Sequence, residues 1–166
     1  STVQPAFQFR DETLNGLDYT GRRVILVTAH RRENYGEPME NIMRALRRLA
    51  DAYTDIDIVY PVHLSPYVRE TAAKYLSDHE RIHLIEPLAV DEMHNLMGRS
   101  FMVMTDSGGL QEEAPSLGKP VLVLRRETER PEAIEAGSVR LAGVQEETIY
   151  AMACTLLDEP EEYNKM

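Results

Sequence analysis

FMVMTDSGGLQEEAPSLGKPVLVL, residues 101–124, is the stretch that most clearly indicates the fold. Phe101–Thr105 is an apolar run too short for a helix, which predicts a buried strand. A Ser-Gly-Gly turn follows, and Gly109–Leu117 is predicted to be a helix. Pro120–Leu124 is a second short apolar run. A strand, a helix and another strand joined by short connections form the repeating unit of a parallel sheet.

The same alternation continues on both sides of this segment. The other predicted strands are Arg23–Thr28, Ile56–Val62, Arg81–Ile85 and Val139–Leu141, and the other predicted helices are Pro38–Tyr53, Pro66–Leu76, Val90–Met97, Arg130–Glu135 and Glu146–Leu157. This order predicts a Rossmann-like α/β domain, in which helices flank a parallel sheet on both faces. We expect the domain to cover residues 23–166 and to be truncated at its C-terminal end. Residues 1–22 are expected to form a lead-in from a preceding domain, and Pro160–Met166 a fraying or truncated tail.

Composition narrows the classes of partner. The chain has 166 residues and a formal net charge of -10, which argues against binding to nucleic acid or anionic membranes because both require a basic surface. No apolar run approaches the roughly 20 residues that span a bilayer, and the N-terminal residues lack the features of a secretory signal. Cys154 is the only cysteine, so no disulfide can form within the chain. These features favour a cytoplasmic location.

The Ser-Gly-Gly turn is the first candidate ligand site, because parallel sheets bind ligands beyond the carboxyl ends of their strands. Gly108 and Gly109 let backbone N–H groups approach an anion at the start of a helix. The hydroxyl of Ser107 can either donate to a phosphate or cap the helix. Glu112 and Glu113 are expected in the first turn, where a carboxylate could accept both hydroxyls of a ribose. A capped helix without a ligand fits this short motif equally well.

The loop TAHRRENYG, residues 28–36, is the second candidate. His30, Arg31 and Arg32 concentrate hydrogen-bond donors and positive charge after the first predicted strand, which favours an anion site over a solvated loop. His30 could also exchange a proton near neutral pH.

Two further loops carry weaker signals. LRRETERPEA at 124–133 is typical of surface ion pairs, and PVHLSP at 61–66 predicts that Ser65 caps a helix that begins at Pro66. His79, His83 and His94 have no evident partners, so we expect them to be surface or packing residues. The spacing of Cys and His residues predicts no metal site, and phosphate-loop, dinucleotide and nucleophile-elbow motifs are lacking.

Taken together, these segments resemble the C-terminal domain of the bacterial non-hydrolysing UDP-N-acetylglucosamine 2-epimerases. The matching stretches are TAHRRENYG at 28–36, PVH at 61–63, TDSGGLQEEAPSLGKPVLVLR at 105–125 and TERPE at 128–132. The resemblance runs from about Arg23 to the last residue, and the combination of TDSGG with HRREN is specific. It implies the C-terminal half of a glycosyltransferase-B fold. It also implies an enzyme that interconverts UDP-GlcNAc and UDP-ManNAc without a metal or other cofactor, by eliminating UDP to leave 2-acetamidoglucal and adding it back.

The resemblance further implies residue roles. Ser107, Gly108 and Gly109 match the diphosphate-binding turn, Glu113 the ribose-binding carboxylate, and His30 the catalytic histidine beside the diphosphate. Arg31 and His63 match positions that contact a second, regulatory UDP-GlcNAc in some bacterial members. The implied partners are UDP, the two UDP-sugars, an N-terminal domain and a second copy in a homodimer; neither nucleic acid nor membrane is implied.

Some positions depart from the family pattern. Met93 stands where an aromatic residue near the uracil is expected, and Arg126 replaces a commoner acidic residue. Because the carboxylates that move the C2 proton belong to the N-terminal domain of the family, we expect this chain to bind UDP weakly and not to epimerise UDP-GlcNAc. A glycosyltransferase of the same fold, a hydrolysing 2-epimerase and a non-catalytic nucleotide-sugar sensor remain alternatives, although HRREN argues against the first. The epimerase interpretation requires the TDSGG and HRREN loops to meet at one edge of the sheet.

Overall fold

The computed structural model describes residues 6–62, 64–127 and 137–166, and in them six strands form one parallel sheet. The strands are β1 Arg23–Thr28, β2 Ile56–Pro61, β3 Ile82–Ile85, β4 Met102–Thr105, β5 Val121–Val123 and β6 Val139–Leu141. Their order in the sheet is β3-β2-β1-β4-β5-β6. The chain winds outward in both directions from β1 and β4, and the crevice between two such strands is where open α/β sheets bind ligands.

Helices cover the sheet on both faces. They are α1 Glu12–Gly16, α2 Glu37–Ala52, α3 Pro66–Leu76, α4 Val90–Arg99, α5 Gly108–Ser116, α6 Glu146–Asp158 and α7 Pro160–Asn164, with a 3-10 turn at Arg32–Asn34. The predicted strands and helices are confirmed within the described residues, and α1 and α7 are additions to them. The helix predicted at Arg130–Glu135 lies outside the described residues. None of the described helices combines the length and apolar character needed to cross a membrane.

Alternating side chains of the strands fill two separate cores. Ile25 of β1 and Tyr60 of β2 are buried in the core that also contains residues of α2, α3 and α6. Leu26 of β1 and Val59 of β2 are buried in the other core, together with residues of α1, α4 and α5. Because both faces of each central strand are covered, these strands appear in the sequence as continuous apolar runs rather than alternating ones.

Both ends of the described chain pack against this sheet. Leu14 of α1 is fully buried, and the carboxylate of Asp11 caps α1 by accepting from the N–H of Thr13 at 2.8 Å. At the other end, the ring of Tyr163 in α7 stacks on Phe101 at 4.3 Å, and its hydroxyl donates to the Phe101 carbonyl at 2.7 Å. The expectation of a fraying tail is therefore wrong, because an aromatic contact over 62 positions of sequence holds it. The boundary at residue 22 stays a prediction.

Candidate functional site

The two candidate loops leave neighbouring strands at the same edge of the sheet. Thr28, the last residue of β1, is in register with Thr105, the last residue of β4, and their hydroxyl oxygens lie 2.5 Å apart. The N–H of Asp106 donates to the Thr28 carbonyl at 3.1 Å, and the N–H of Ser107 donates to the Thr105 hydroxyl at 2.9 Å. The TDSGG and HRREN loops therefore begin side by side at the carboxyl ends of the two central strands.

One pocket lies between these loops. Its volume is about 240 Å³, and its lining residues are Thr28, His30, Pro61, Pro87, Leu88, Met93, Ser107 and Leu110. His30 and Ser107 thus face a common space, as the epimerase interpretation requires. Leu88, Met93 and Leu110 give the pocket an apolar wall, which suits a ligand with one polar end and one flat apolar end.

The buried carboxylate of Asp106 connects the TDSGG and HRREN loops. It is fully buried, and its Oδ2 atom accepts from the N–H of His30 at 3.0 Å, the N–H of Arg31 at 3.0 Å and the side-chain amide of Asn34 at 3.2 Å. The Asn34 amide also donates to the Leu124 carbonyl at 3.0 Å, which attaches the end of β5 to the same network. Asp106 therefore determines where the backbone of His30 lies.

Burial raises the pKa of Asp106, against the lowering effect of the backbone N–H groups of Arg31 and His30 and of the charge of His30. Asp106 lies within the TDSGG motif, but no role was predicted for it. The position of Asp106 in the sequence could have indicated this role, because a buried acidic residue directly after a strand needs several hydrogen-bond donors around it.

The start of α5 is arranged to accept an anion. Ser107 occupies the N-cap position, yet its hydroxyl makes no capping hydrogen bond within the described chain, so the interpretation of Ser107 as a plain cap is wrong. A Cβ atom added to Gly109 would meet only the Ser107 hydroxyl oxygen within 4 Å, at 3.9 Å, so the space above this turn is open. The first N–H groups of any helix lack acceptors within the helix. An anion at this position can therefore accept from them and from Ser107.

Glu113 lies further along α5, beside a histidine of the neighbouring helix. Glu112 and Glu113 were predicted to lie in the first turn of this helix. Because α5 begins at Gly108, they lie in its second turn instead, and the prediction is wrong. Oε1 of Glu113 lies 2.9 Å from Nδ1 of His94 on α4, and the Glu113 side chain remains 39% exposed. The Glu113 carboxylate is thus oriented by one partner while still accessible to a ligand.

His94 was expected to be a surface or packing residue, and its pairing with Glu113 was not evident because the sequence does not show that α4 and α5 pack side by side. The same holds for the other two histidines. His79 lies 3.1 Å from Asp51, and His83 lies 2.9 Å from Asp57.

The predicted regulatory residues are only partly described. The guanidinium of Arg31 pairs with Glu33 at 3.0 Å, and Glu33 also pairs at 2.8 Å with Arg125, which is 8% exposed. Arg125 was expected to form surface ion pairs, and its burial contradicts that expectation. His63 lies outside the described residues, so the joint role of Arg31 and His63 stays a prediction.

Ser65 does not have its predicted role as a helix cap. It occupies the N-cap position of α3, but its side chain makes no capping hydrogen bond within the described chain. Instead, the Ser65 hydroxyl accepts from the Tyr35 hydroxyl at 2.9 Å. The contact attaches the start of α3 to the loop that contains His30.

Comparison with known proteins identifies the family. The sequence model of the UDP-N-acetylglucosamine 2-epimerases matches residues 2–166. A Bacillus subtilis UDP-N-acetylglucosamine 2-epimerase is 59% identical over 151 residues, which make up 90% of this chain and 40% of that protein. The S. aureus MnaA–UDP structure has a TM-score of 0.92 and 50% identity, over 99% of this chain and 44% of that one. The Neisseria meningitidis UDP-GlcNAc 2-epimerase bound to UDP-GlcNAc has a TM-score of 0.86 and 49% identity, over 87% of this chain and 39% of that one.

These correspondences also confirm the fold class. The parallel sheet with flanking helices is Rossmann-like and forms the C-terminal half of a glycosyltransferase-B fold. The chain spans less than half the length of the relatives it matches, 40% in the Bacillus protein and 44% in the S. aureus protein. Because the family model matches residues 2–166, this chain belongs to the UDP-N-acetylglucosamine 2-epimerase family.

Proposed function

We propose that this chain is the UDP-binding half of a non-hydrolysing epimerase that interconverts UDP-GlcNAc and UDP-ManNAc. The observation that carries the proposal is the single pocket that His30 and Ser107 share above the start of α5. Relatives bound to UDP and to UDP-GlcNAc support it.

In the proposed reaction, a base removes the C2 proton and the C–H electrons form a C1=C2 double bond. The C1–O bond breaks, and UDP leaves with its electron pair. UDP then attacks C1 of the 2-acetamidoglucal while a proton reaches C2 on the opposite face. The groups that move the C2 proton are proposed to come from the remainder of the protein. This chain by itself then binds UDP and does not epimerise UDP-GlcNAc.

The diphosphate is proposed to lie at the N-terminus of α5. There it accepts from the Ser107 hydroxyl and from the N–H groups of Gly108 and Gly109, with a favourable helix dipole. The net charge of -10 repels a dianion at long range, so binding depends on these local donors and on His30.

His30 is proposed to stabilise the departing UDP. Negative charge builds up on the diphosphate as the C1–O bond breaks, and a donor held beside that oxygen binds the transition state more strongly than the ground state. The contacts of Asp106 with the N–H groups of His30 and Arg31 support this role, because they fix the backbone from which the imidazole extends.

The nucleoside is proposed to extend along α4 and α5. Glu113, oriented by His94, would accept the ribose hydroxyls. The uracil would pack on the apolar wall formed by Leu88, Met93 and Leu110. Arg31 and His63 are proposed to contact a second, regulatory UDP-GlcNAc, and the complete protein is proposed to be a cytoplasmic homodimer.

Calorimetric titration with UDP tests the binding site. Ser107→Ala and Glu113→Ala should each weaken UDP binding about tenfold or more, because each removes a hydrogen bond to the ligand, one of them to a charged group. The matched controls are Ser116→Ala and Glu112→Ala, which remove the same groups from exposed positions of the same helix. Equal losses in the test and control variants, or no binding of millimolar UDP by the wild type, would contradict the site assignment.

Gly109→Ala distinguishes an effect on UDP binding from an effect on the stability of the fold. The added methyl group is 3.9 Å from its nearest neighbour, and alanine is favoured over glycine in helices by up to about 1 kcal/mol. The melting temperature should therefore not fall, while UDP binding weakens because the methyl group occupies the space of the diphosphate. A variant that binds UDP normally would exclude close approach of a ligand at this turn.

Deuterium exchange tests whether this chain contains the groups that move the C2 proton. UDP-GlcNAc incubated with this chain in heavy water should neither exchange its C2 proton nor yield UDP-ManNAc. Deuterium at C2 would show that the chain carries its own proton-transfer groups.

A further inference from the structure

A second pocket lies at the opposite edge of the sheet. Its volume is about 260 Å³, and its lining includes Tyr19, Arg22, Arg99, Phe101, Lys119 and Tyr163. Arg22, Phe101 and Lys119 lie just before the first residues of β1, β4 and β5. The pocket at His30 is at the other ends of these strands, and a strand of six residues is about 20 Å long.

Lys119 has no counter-ion in this pocket. It is partly buried, and its side chain makes no hydrogen bond or ion pair with any residue that the structure describes. Burial alone lowers its pKa. The main chain at Lys119 is well held, because its N–H donates to the Ala114 carbonyl at 3.1 Å. An ammonium group that loses water without gaining a partner is costly, and a bound anion removes that cost.

Two carboxylates near this pocket pair with arginines, and a third, that of Asp18, accepts from the N–H groups of Thr20 and Gly21. Arg22 pairs with Asp57, and Arg23 pairs with Asp55 at 2.9 Å. Arg99 donates to the Phe7 carbonyl at 3.3 Å, and its guanidinium lies over the rings of Phe9 and Tyr19. The pocket therefore combines cations with aromatic rings, and the two acidic partners neutralise Arg22 and Arg23 rather than Lys119.

We propose that this pocket binds a small phosphate-bearing molecule, with Lys119 as the principal ligand of the phosphate. A tetrahedral oxyanion offers several acceptors to the three donors of an ammonium group. The aromatic side chains of Tyr19, Phe101 and Tyr163 provide a surface for the remainder of the molecule. This site is separate from the proposed UDP site and does not depend on it.

Inorganic phosphate, titrated into the chain while UDP is kept at saturation, tests the proposal. The chain has only the lysines Lys74, Lys119 and Lys165, so their side-chain NMR signals can be resolved individually. Phosphate should shift the Lys119 signal and leave that of Lys74 unchanged. Lys119→Met should weaken phosphate binding about tenfold or more, since a charge-assisted contact is lost. Lys119→Arg should retain binding, because it keeps the charge.

Thermal denaturation provides the control for general salt effects. Phosphate stabilises most proteins by exclusion from their surface, so the relevant quantity is the difference between variants. The melting temperature should rise more with phosphate in the wild type and in Lys74→Met, where the lost charge was exposed, than in Lys119→Met. A far-ultraviolet circular dichroism spectrum of Lys119→Met that matches the wild type would show that the variant is folded.

Three results would overturn the proposal: equal responses of Lys119→Met and the wild type, displacement of phosphate by UDP, or no shift of Lys119 at tens of millimolar phosphate. Failure of the UDP site would leave this experiment unaffected, because its readout is the Lys119 signal.

Discussion

Removing the carboxylate of Asp106 tests whether this residue holds the two loops together. Asp106→Ala removes the acceptor that three donors share, namely the N–H groups of His30 and Arg31 and the amide of Asn34. Each buried donor that loses its partner costs about 1–3 kcal/mol, so the free energy of unfolding should fall by about 3 kcal/mol or more. A domain is typically stable by about 5–15 kcal/mol, so the variant should still fold.

Asp106→Asn is the matched control. All three of these donors bond to Oδ2, and the N–H of His30 also reaches Oδ1 at 3.3 Å. An asparagine whose oxygen takes the Oδ2 position keeps the three Oδ2 contacts and loses the charge and the longer Oδ1 contact. Charged acceptors make hydrogen bonds about twice as strong as neutral ones, but burying a neutral amide costs less than burying a carboxylate. These effects oppose each other, and we expect a net change below about 1 kcal/mol.

Urea denaturation followed by circular dichroism measures both variants, and calorimetry measures their affinity for UDP. Asp106→Ala should bind UDP about tenfold more weakly, corresponding to about 1.4 kcal/mol lost by release of the His30 loop, whereas Asp106→Asn should stay close to the wild type. Equal stability of the two variants, or a wild-type affinity of Asp106→Ala for UDP, would refute the role of Asp106 in holding the two loops together.

The pKa of Asp106 adds a pH dependence with a definite sign. Burial raises this pKa in the folded state above the ordinary value of 3.8. Between the ordinary and the raised pKa, the folded state therefore binds more protons than the unfolded state. The contribution of Asp106 to stability is therefore fully present below 3.8, is lost as the pH rises through the folded-state pKa, and is constant above it. The difference in unfolding free energy between wild type and Asp106→Asn should follow this course, since asparagine does not titrate; a flat difference would contradict it.

Four more variants probe the pocket and the tail. Met93→Tyr should tighten UDP and UMP binding severalfold and leave pyrophosphate binding unchanged, because stacking of a base on an aromatic ring contributes about 1–3 kcal/mol; a change with pyrophosphate would place Met93 beside the phosphates instead. His94→Ala should weaken UDP and UMP by the same factor, as the orientation of Glu113 is lost, and an effect on UDP alone would argue against ribose contact. Tyr163→Phe should lower the free energy of unfolding by about 1 kcal/mol through its lost hydrogen bond to Phe101, and Tyr163→Ala by about 2 kcal/mol or more, both measured by denaturation; no loss in either would indicate a loosely attached tail.

Much of the local structure was predictable from short segments. Apolar runs between turn residues located the strands, and the spacing of apolar residues located α2 through α6. The anion-binding turn at Ser107 and the basic loop at His30 were identifiable because each is contiguous in sequence. The tail was mispredicted, since its order depends on Tyr163 meeting Phe101.

The spatial arrangement of the site was not predictable in this way. Thr28 and Thr105 are 77 positions apart, and their contact follows from β1 and β4 being neighbours in the sheet. The pairing of His94 with Glu113 depends likewise on the packing of α4 against α5. Local patterns determine which segments are strands and helices, because propensity and periodicity act over a few residues. Which strands lie side by side, and therefore which side chains share a pocket, is decided by the burial of both sheet faces at once, and that requires the whole folded chain.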